Sequence, residues 1–170
     1  MAERTYQALL VASSEGKLPI VCENSSCSEG LVSVLRDRKD SKLTIIDSVD
    51  FAAQTLLPRL SVKSKIDSAV LHPTCSSTAL NSHDNLKVLA EAISSTVEIP
   101  ESWGCCAFAG DRGMLHPELT ASATLAQAEE INKKKFDVYL STNLTCEIGM
   151  SRATGQKYEH ILCALDRLSN

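Results

Sequence analysis

The sequence lacks the features of a membrane-spanning or secreted protein. No apolar run approaches the ~20 residues that a transmembrane helix needs. The first residues, M-A-E-R-T-Y-Q, lack the apolar core of a signal peptide. We therefore expect a cytoplasmic chain without a transmembrane segment.

The sequence also lacks the marks of several common functions. Its net charge is -4 and its largest basic cluster is Lys133 to Lys135, which argues against a nucleic-acid partner. Its glycines match neither a P-loop nor a G-x-G-x-x-G fingerprint, so nothing supports nucleotide binding. No Ser/His/Asp or paired-carboxylate arrangement and no substrate pocket can be identified, so we do not expect the chain alone to be a complete enzyme.

Seven cysteines are the most informative feature that the sequence does contain. Structural disulfides are rare in the cytoplasm, so these cysteines are better explained as ligands, catalysts or core residues than as a disulfide framework. The 170 residues are enough to bury ~70% of the surface that the unfolded chain exposes. The chain therefore needs neither disulfides nor a metal merely to fold.

The apolar pattern predicts one α/β domain over residues 1–170, beginning with a helix over residues 1–17 that stops at Gly16. Short apolar runs predict strands at 18–22, 43–46, 66–71, 97–99 and 136–140. Helical spacing predicts helices from 28, at 49–57, 84–94 and 117–132, and at 158–168. This alternation is typical of an open, mostly parallel sheet with helices on both faces.

The stretch from Ser102 to Gly113, S-W-G-C-C-A-F-A-G-D-R-G, contains two adjacent cysteines. Neighbouring side chains diverge on helices and strands, so Cys105 and Cys106 suit neither. Gly104 and Gly110 frame the pair and permit positive φ angles, which predicts a tight loop that directs two sulfurs to one place. A metal, a cluster or thiol redox chemistry would use such a loop. The alternative is a loop with one buried and one exposed thiol.

Four predicted strands are followed by cysteines in the next loop. These cysteines are Cys27, Cys75, the pair Cys105 and Cys106, and Cys146. Since sites form beyond the carboxyl ends of parallel strands, we expect the sulfurs to converge at that edge of the sheet. Helix N-termini lower thiol pKa values, and thiolate is the form that binds iron or zinc. The other two cysteines, Cys22 and Cys163, are predicted to be small core residues.

His72 and Arg112 lie close to these cysteines in the sequence. His72 precedes Pro73 and Cys75, so it could ligate a metal, donate to a cluster sulfur or have a helper role in the loop. Arg112 could face an anionic cofactor or partner, or it could form a local ion pair with Asp111.

The motifs H-P-T-C, G-C-C-A-F-A-G-D-R-G, P-E-L, T-C-E-I-G and Y-E-H-I-L closely resemble a known C-terminal region. It belongs to fused FAD-linked dehydrogenases of the D-lactate dehydrogenase and glycolate oxidase type. That region contains the cysteine-rich CCG domain, which also occurs in the heterodisulfide reductases and in related iron–sulfur oxidoreductases. The resemblance covers residues 18–168 and is most specific through residues 71–160.

The sequence departs from the family motif of one cysteine, a Cys-Cys-Gly and a Cys-x-x-Cys. Ala107 stands where the motif has glycine, and we expect it to forbid an unusual φ angle. Gly149 stands where the second cysteine of Cys-x-x-Cys would be. Such proteins carry two motifs, and Cys22 and Cys27 look like the tail of the first. By this resemblance the chain is a C-terminal fragment of a larger flavoprotein.

The resemblance implies electron transfer. An upstream FAD-binding dehydrogenase domain or subunit would oxidise a D-2-hydroxy acid such as D-lactate. This domain would pass the electrons through an iron–sulfur centre to an acceptor, which could hold the chain at the periphery of a membrane. Backbone amides of the loop around Gly104 and Gly110 would bond to sulfur and tune the potential. The implied ligands are Cys75, Cys105, Cys106 and Cys146, with Cys27 as a fifth.

Two other functions stay open. The motif of some family members looks like a zinc site, and a structural zinc module that docks partner domains would use four tetrahedral ligands and have no colour. A thiol-redox module would instead form a disulfide between Cys75 and either Cys105 or Cys106.

Overall fold

The chain forms two parallel sheets flanked by helices in a computed structural model, which describes residues 2–36, 38 and 40–169. The smaller sheet pairs β1 (Ile20–Cys22) with β2 (Ile45–Asp47). The larger sheet has the order β4-β3-β5-β6. Its strands are β3 (Ile66–Leu71), β4 (Ser94–Glu98), β5 (Val138–Ser141) and β6 (Tyr158–His160). All pairs of neighbouring strands run parallel, which confirms the predicted α/β class.

Helices follow the strands throughout the described residues. The first five are α1 (Ala2–Ala12), α2 (Ser25–Leu35), α3 (Ser48–Phe51), α4 (Cys75–Ala79) and α5 (His83–Ile93). The others are α6 (Arg112–Leu115), α7 (Pro117–Ile131), α8 (Leu144–Thr154) and α9 (Ile161–Ser169). A π-helical turn (Ala52–Leu56) and a 3₁₀ turn that contains Pro58 extend α3. In the described part of the chain, no helix is both long and apolar enough to cross a membrane.

The larger sheet is covered on both faces, as the sequence predicts. Side chains alternate along a strand, so Ala69 and Leu71 of β3 belong to one apolar cluster and Val70 belongs to another. Helices α3, α5 and α9 contribute buried side chains to the first cluster. Helices α7 and α8 contribute Ile131 and Met150 to the second.

The structure differs from the predicted single sheet in that β1 and β2 pair only with each other. The two sheets are linked instead through side-chain hydroxyls. Ser25 Oγ, at the start of α2, lies 3.1 Å from Thr74 Oγ1 and 2.8 Å from Ser76 Oγ. These groups precede or begin α4, so the loops after β1 and β3 still meet at one edge.

The last strand was not predicted, because Tyr158 stands three residues before Ile161 and four before Leu162, which is the spacing of a helix. Tyr158 instead pairs with Tyr139 of β5, and its ring is buried beside the ring of that residue. A strand of three residues is too short to show a period of two in the sequence. The helix that follows begins at Ile161 rather than at Tyr158.

The placement of α5 against the sheet can be tested with two adjacent residues. Leu89 is 0% exposed and Val88 is 45% exposed. Leu89→Ala is expected to lower the free energy of unfolding by about 2–5 kcal/mol, because it leaves a cavity in the core. Val88→Ala should change it by only about 0.5 kcal/mol. Urea unfolding followed by circular dichroism measures both, and equal losses would contradict the placement.

Candidate metal centre

Strands β3 and β5 carry the candidate site because they lie side by side and end at the same edge. Leu71 is in register with Leu140, and the N–H of His72 donates to the Leu140 carbonyl at 2.8 Å. Ser141 Oγ donates to the carbonyl of His72 at 3.1 Å. These bonds fix the two loops that follow, so that His72 lies close to Cys146 in the first turn of α8.

The loop after β3 owes its shape to a capping box at the start of α4. Thr74 Oγ1 accepts the N–H of Ser77 at 3.1 Å, and Ser77 Oγ accepts the N–H of Thr74 at 3.0 Å. Such a box satisfies backbone donors that a helix start leaves free. Cys75 follows the cap directly, so the chain places this thiol without help from a metal.

Three buried side chains form the centre of the site: His72, Cys106 and Cys146. One ligand atom from each lies within 4.8 Å of the others, so the three residues could hold a metal ion. The sulfurs of Cys106 and Cys146 are 2.9 Å apart. Two thiolates and an imidazole are the ligand types that zinc and iron accept.

Gln127 of α7 orients the imidazole of His72. Nδ1 of His72 lies 3.1 Å from Oε1 of Gln127 and 3.0 Å from its Nε2. The opposite ring atom, Nε2 of His72, is buried and has no hydrogen-bond partner among the described residues. When Nδ1–H donates to Oε1 of Gln127, Nε2 keeps its lone pair for a metal, which is the usual arrangement around a metal-binding histidine. A glutamine within a helix gives no sign of this role in the sequence.

The two buried thiols share a proton. The hydrogen bond from Cys146 lowers the pKa of Cys106 to about 5, and the amide of Phe108 acts in the same direction. The same bond to Cys106, together with burial, raises the pKa of Cys146. Cys106 is therefore the thiol of the pair that gives up its proton more readily, and a metal ion would displace the proton that remains.

Cys75 and Cys105 adjoin this buried centre and are exposed to solvent. Burial of its sulfur and the neighbouring Cys105 and Cys106 raise the pKa of Cys75. The charges of Cys75 and Cys105 also raise the pKa of Cys146. Four of the five predicted sulfurs thus gather at one edge of the sheet. The two closest are Cys106 and Cys146, whereas the disulfide hypothesis paired Cys75 with one of the adjacent cysteines.

The loop of the cysteine pair turns through left-handed backbone at Ala107 and Ala109, whose φ angles are 53° and 47°. The expectation that alanine at position 107 forbids an unusual φ is therefore wrong. Phe108 lies between the two alanines and is 0% exposed, and the N–H of Gly113 donates to its carbonyl at 2.6 Å. A Cβ at Gly113 would lie 2.5 Å from the Phe108 ring. Burial of this ring offsets the left-handed strain of about 1–2 kcal/mol per residue.

The other predicted cofactor-binding residues lie on the outer part of this loop. Gly104 is half-buried, and Gly110 is exposed with a φ of 70°. Arg112 is exposed at the start of α6. Within residues 2–36, 38 and 40–169 its guanidinium has no hydrogen bond or ion pair, so the alternative pair with Asp111 is not formed.

The remaining cysteines lie outside this centre. Cys27 is exposed in the first turn of α2, where its charge adds to burial in raising the pKa of Cys22. Cys22 is half-buried. The prediction that Cys163 is a core residue is wrong, because α9 turns Ile161 and Leu165 inward and leaves Cys163 exposed.

Gly149 is buried where α8 approaches α7 and the cysteine loop. A Cβ at this position would lie 3.1 Å from Thr120 Cγ2, 3.4 Å from the Phe108 ring and 3.7 Å from the Cβ of Cys106. The glycine therefore permits close packing beside Cys106. A cysteine at position 149 would crowd Thr120. Glycine in place of the second cysteine of Cys-x-x-Cys avoids that crowding.

Comparison with known proteins assigns neither a family nor a function to the chain. The chain matches no protein-family model, and no curated protein matches it. The resemblance of its motifs to the CCG domain stays a prediction.

The left-handed turn at Ala107 can be tested by substitution with glycine. Ala107→Gly removes strain of about 1–2 kcal/mol, while the flexible unfolded glycine opposes this by about 0.5–1 kcal/mol. The free energy of unfolding should therefore stay the same or rise. Ala123→Gly, at an exposed position within α7, should lower it by about 1 kcal/mol. If urea unfolding shows the same decrease in the free energy of unfolding for both variants, the left-handed turn at Ala107 is contradicted.

Proposed function

We propose that this chain is an iron–sulfur electron-transfer domain whose cluster is held by cysteine thiolates. The observation that carries the proposal is the buried group of His72, Cys106 and Cys146, with the thiols of Cys75 and Cys105 close enough for their charges to act on Cys146. The ligands in this proposal are Cys75, Cys105, Cys106 and Cys146.

The donor set fits such a cluster in number and kind. Iron–sulfur clusters are held by cysteine thiolates, commonly four. Cys106 gives up its proton more readily than a free thiol, because the hydrogen bond from Cys146 lowers its pKa to about 5. Cys106 and Cys146 are buried while Cys75 and Cys105 are exposed. The centre would therefore lie at the boundary between core and solvent, where an electron donor or acceptor can approach it.

The residues of the loop would tune and support the centre. The N–H of Ala107 donates to Sγ of Cys105 at 3.4 Å, and the amide of Phe108 acts on Cys106. Successive amides that point to one place favour negative charge there. Their bonds to sulfur are among the factors that set a reduction potential. When bound, an iron–sulfur cluster supplies one-electron transfer.

The electron donor in this proposal is the flavin of an FAD-binding dehydrogenase domain or subunit. That partner would oxidise a D-2-hydroxy acid of the D-lactate or glycolate type and pass electrons through this domain to an acceptor. Only the resemblance of the sequence motifs supports this part of the proposal.

Reconstitution tests the cluster directly. The chain, purified without oxygen and supplied with ferrous iron and sulfide, is expected to develop a broad absorption band in the visible blue region. Cys106→Ala should abolish the band, because it removes the buried thiolate. Cys163→Ala, which removes an exposed thiol on α9, should leave it unchanged. Bound zinc without colour, or full colour in the Cys106 variant, would contradict the proposal.

A structural zinc site is the second candidate, and His72 favours it. Its unpartnered Nε2 and the sulfurs of Cys106 and Cys146 could supply three tetrahedral ligands, with Cys75 or Cys105 as the fourth. A Zn–S bond of about 2.3 Å implies sulfurs about 3.8 Å apart. The 2.9 Å separation of Cys106 and Cys146 would have to widen by about 1 Å to admit the ion.

The orienting role of Gln127 can be tested with zinc, because His72 is a ligand in that alternative. Gln127→Leu removes the hydrogen bond to His72 and should weaken metal binding about 10- to 100-fold. Gln127→Glu keeps an acceptor and should restore most of the affinity. Glu129→Ala, exposed on the same helix, should have no effect. Competition against a chromophoric chelator measures each affinity, and thermal unfolding without metal checks each fold. Equal metal affinities of the unchanged chain and the Gln127→Leu variant would exclude the orienting role of Gln127.

A further inference from the structure

A cavity lies at the junction of the two sheets, apart from the candidate metal centre. It has a volume of about 500 Å³ and is lined by the end of β1, the start of α8 and β6. This volume is typical of small-molecule sites. None of the four cysteines of the candidate metal centre lines it. The cavity is therefore a separate feature of the same sheet edge.

Glu147, in the first turn of α8, is the unusual group in this cavity. The residue is 9% exposed, and its Oε1 has no hydrogen-bond partner among the described residues. Buried polar atoms are nearly always paired, and an unpaired buried carboxylate oxygen is costly. The described part of the chain therefore provides no hydrogen-bond donor for this oxygen.

Among the described residues, no cation forms an ion pair with the carboxylate of Glu147. Glu23 and Glu159 line the same cavity and are close enough for their charges to act on Glu147. Arg167 donates to both carboxylate oxygens of Glu159, at 2.7 and 2.8 Å, and the charge of Lys157 acts on Glu159 as well. Lys157 also lines the cavity, but neither cation forms an ion pair with Glu147 or Glu23 among the described residues.

His160 does not supply the missing charge. Its Nδ1 accepts the N–H of Leu162 at 3.2 Å, so the ring proton lies on Nε2. Burial lowers the pKa of His160, which keeps the ring neutral. The cavity is therefore lined by three carboxylates and one ammonium, that of Lys157, so that acidic groups are in excess, and it is partly apolar through Leu144.

We propose that this cavity binds a primary ammonium group on an alkyl stem, the chemistry that small alkylamines share with the lysine side chain. The ammonium would donate to Oε1 of Glu147, and Glu23 would supply a second negative charge. The stem would lie against Leu144, which is 62% exposed. A divalent metal ion fits less well, because the acidic, histidine and cysteine side chains here include no group of three donors within 4.8 Å among the described residues.

Nuclear magnetic resonance of the full ¹⁵N-labelled chain tests the proposal with defined probes. Titration with n-butylammonium chloride should shift the amide signals of Leu144, Glu147 and His160 saturably, with a dissociation constant of about 1–10 mM. Butan-1-ol, a neutral molecule of similar size, should bind at least about ten times more weakly. N-acetyl-lysine-N-methylamide distinguishes the sources: tighter binding than butylammonium indicates a polypeptide lysine, and weaker binding indicates a free amine. No saturable shift from either ammonium, or equal binding of butan-1-ol, would overturn the proposal.

Substitutions separate this site from the metal centre. Glu147→Gln should weaken butylammonium binding by about tenfold or more, because it removes the charge-assisted hydrogen bond. Glu23→Gln should weaken it about threefold, and Glu91→Gln, exposed on α5, should not change it. Metal content is measured for each variant, because Glu147 follows Cys146. Unchanged ammonium affinity in both cavity variants would refute the assignment whatever the metal content.

Discussion

The parallel pairing of β3 with β5 is the contact on which the candidate metal centre depends. The ladder between them continues into the bond from the His72 amide to the Leu140 carbonyl, so both loops leave the sheet side by side. This pairing places an imidazole beside a helix start that carries a thiol. The imidazole Nε2 and the sulfurs of Cys106 and Cys146 lie in the interior, where unsatisfied polar atoms are costly. A bound metal would compensate that cost, which links the stability of this edge to its occupancy.

A strained loop completes the centre from the other side. Ala107 and Ala109 adopt left-handed backbone, and the burial of Phe108 between them holds the turn in place. The same turn directs the amide of Ala107 to Sγ of Cys105 and the amide of Phe108 towards Cys106. Strain of this kind persists where surrounding packing overdetermines the backbone. Gly113 and Gly149 permit this packing, since a Cβ on either would meet the Phe108 ring.

Several features could be predicted from the sequence because they follow from local pattern and sheet geometry. The strand at 66–71 was predicted with its observed bounds, since its apolar residues, Ile66 and 69–71, stand between polar segments. The meeting of Cys106 and Cys146 at one place followed from the shared edge of parallel strands, whereas Cys27, the fifth expected sulfur, lies outside the centre. The role of Gln127, the left-handed turn at Ala107 and the exposure of Cys163 depend on which helix face meets which loop. Tertiary packing decides that, and a helical period alone does not encode it.

X-ray absorption at the iron and zinc edges, on the full chain purified without oxygen, tests most directly whether this edge holds a metal through its sulfurs. The proposal predicts iron with sulfur neighbours and a second iron nearby, and loss of these signals in Cys146→Ala. Zinc bound by sulfur and one nitrogen would contradict the iron–sulfur cluster and support the structural zinc site instead. A chain that takes up neither metal, even when supplied with iron and sulfide, would contradict the metal centre itself.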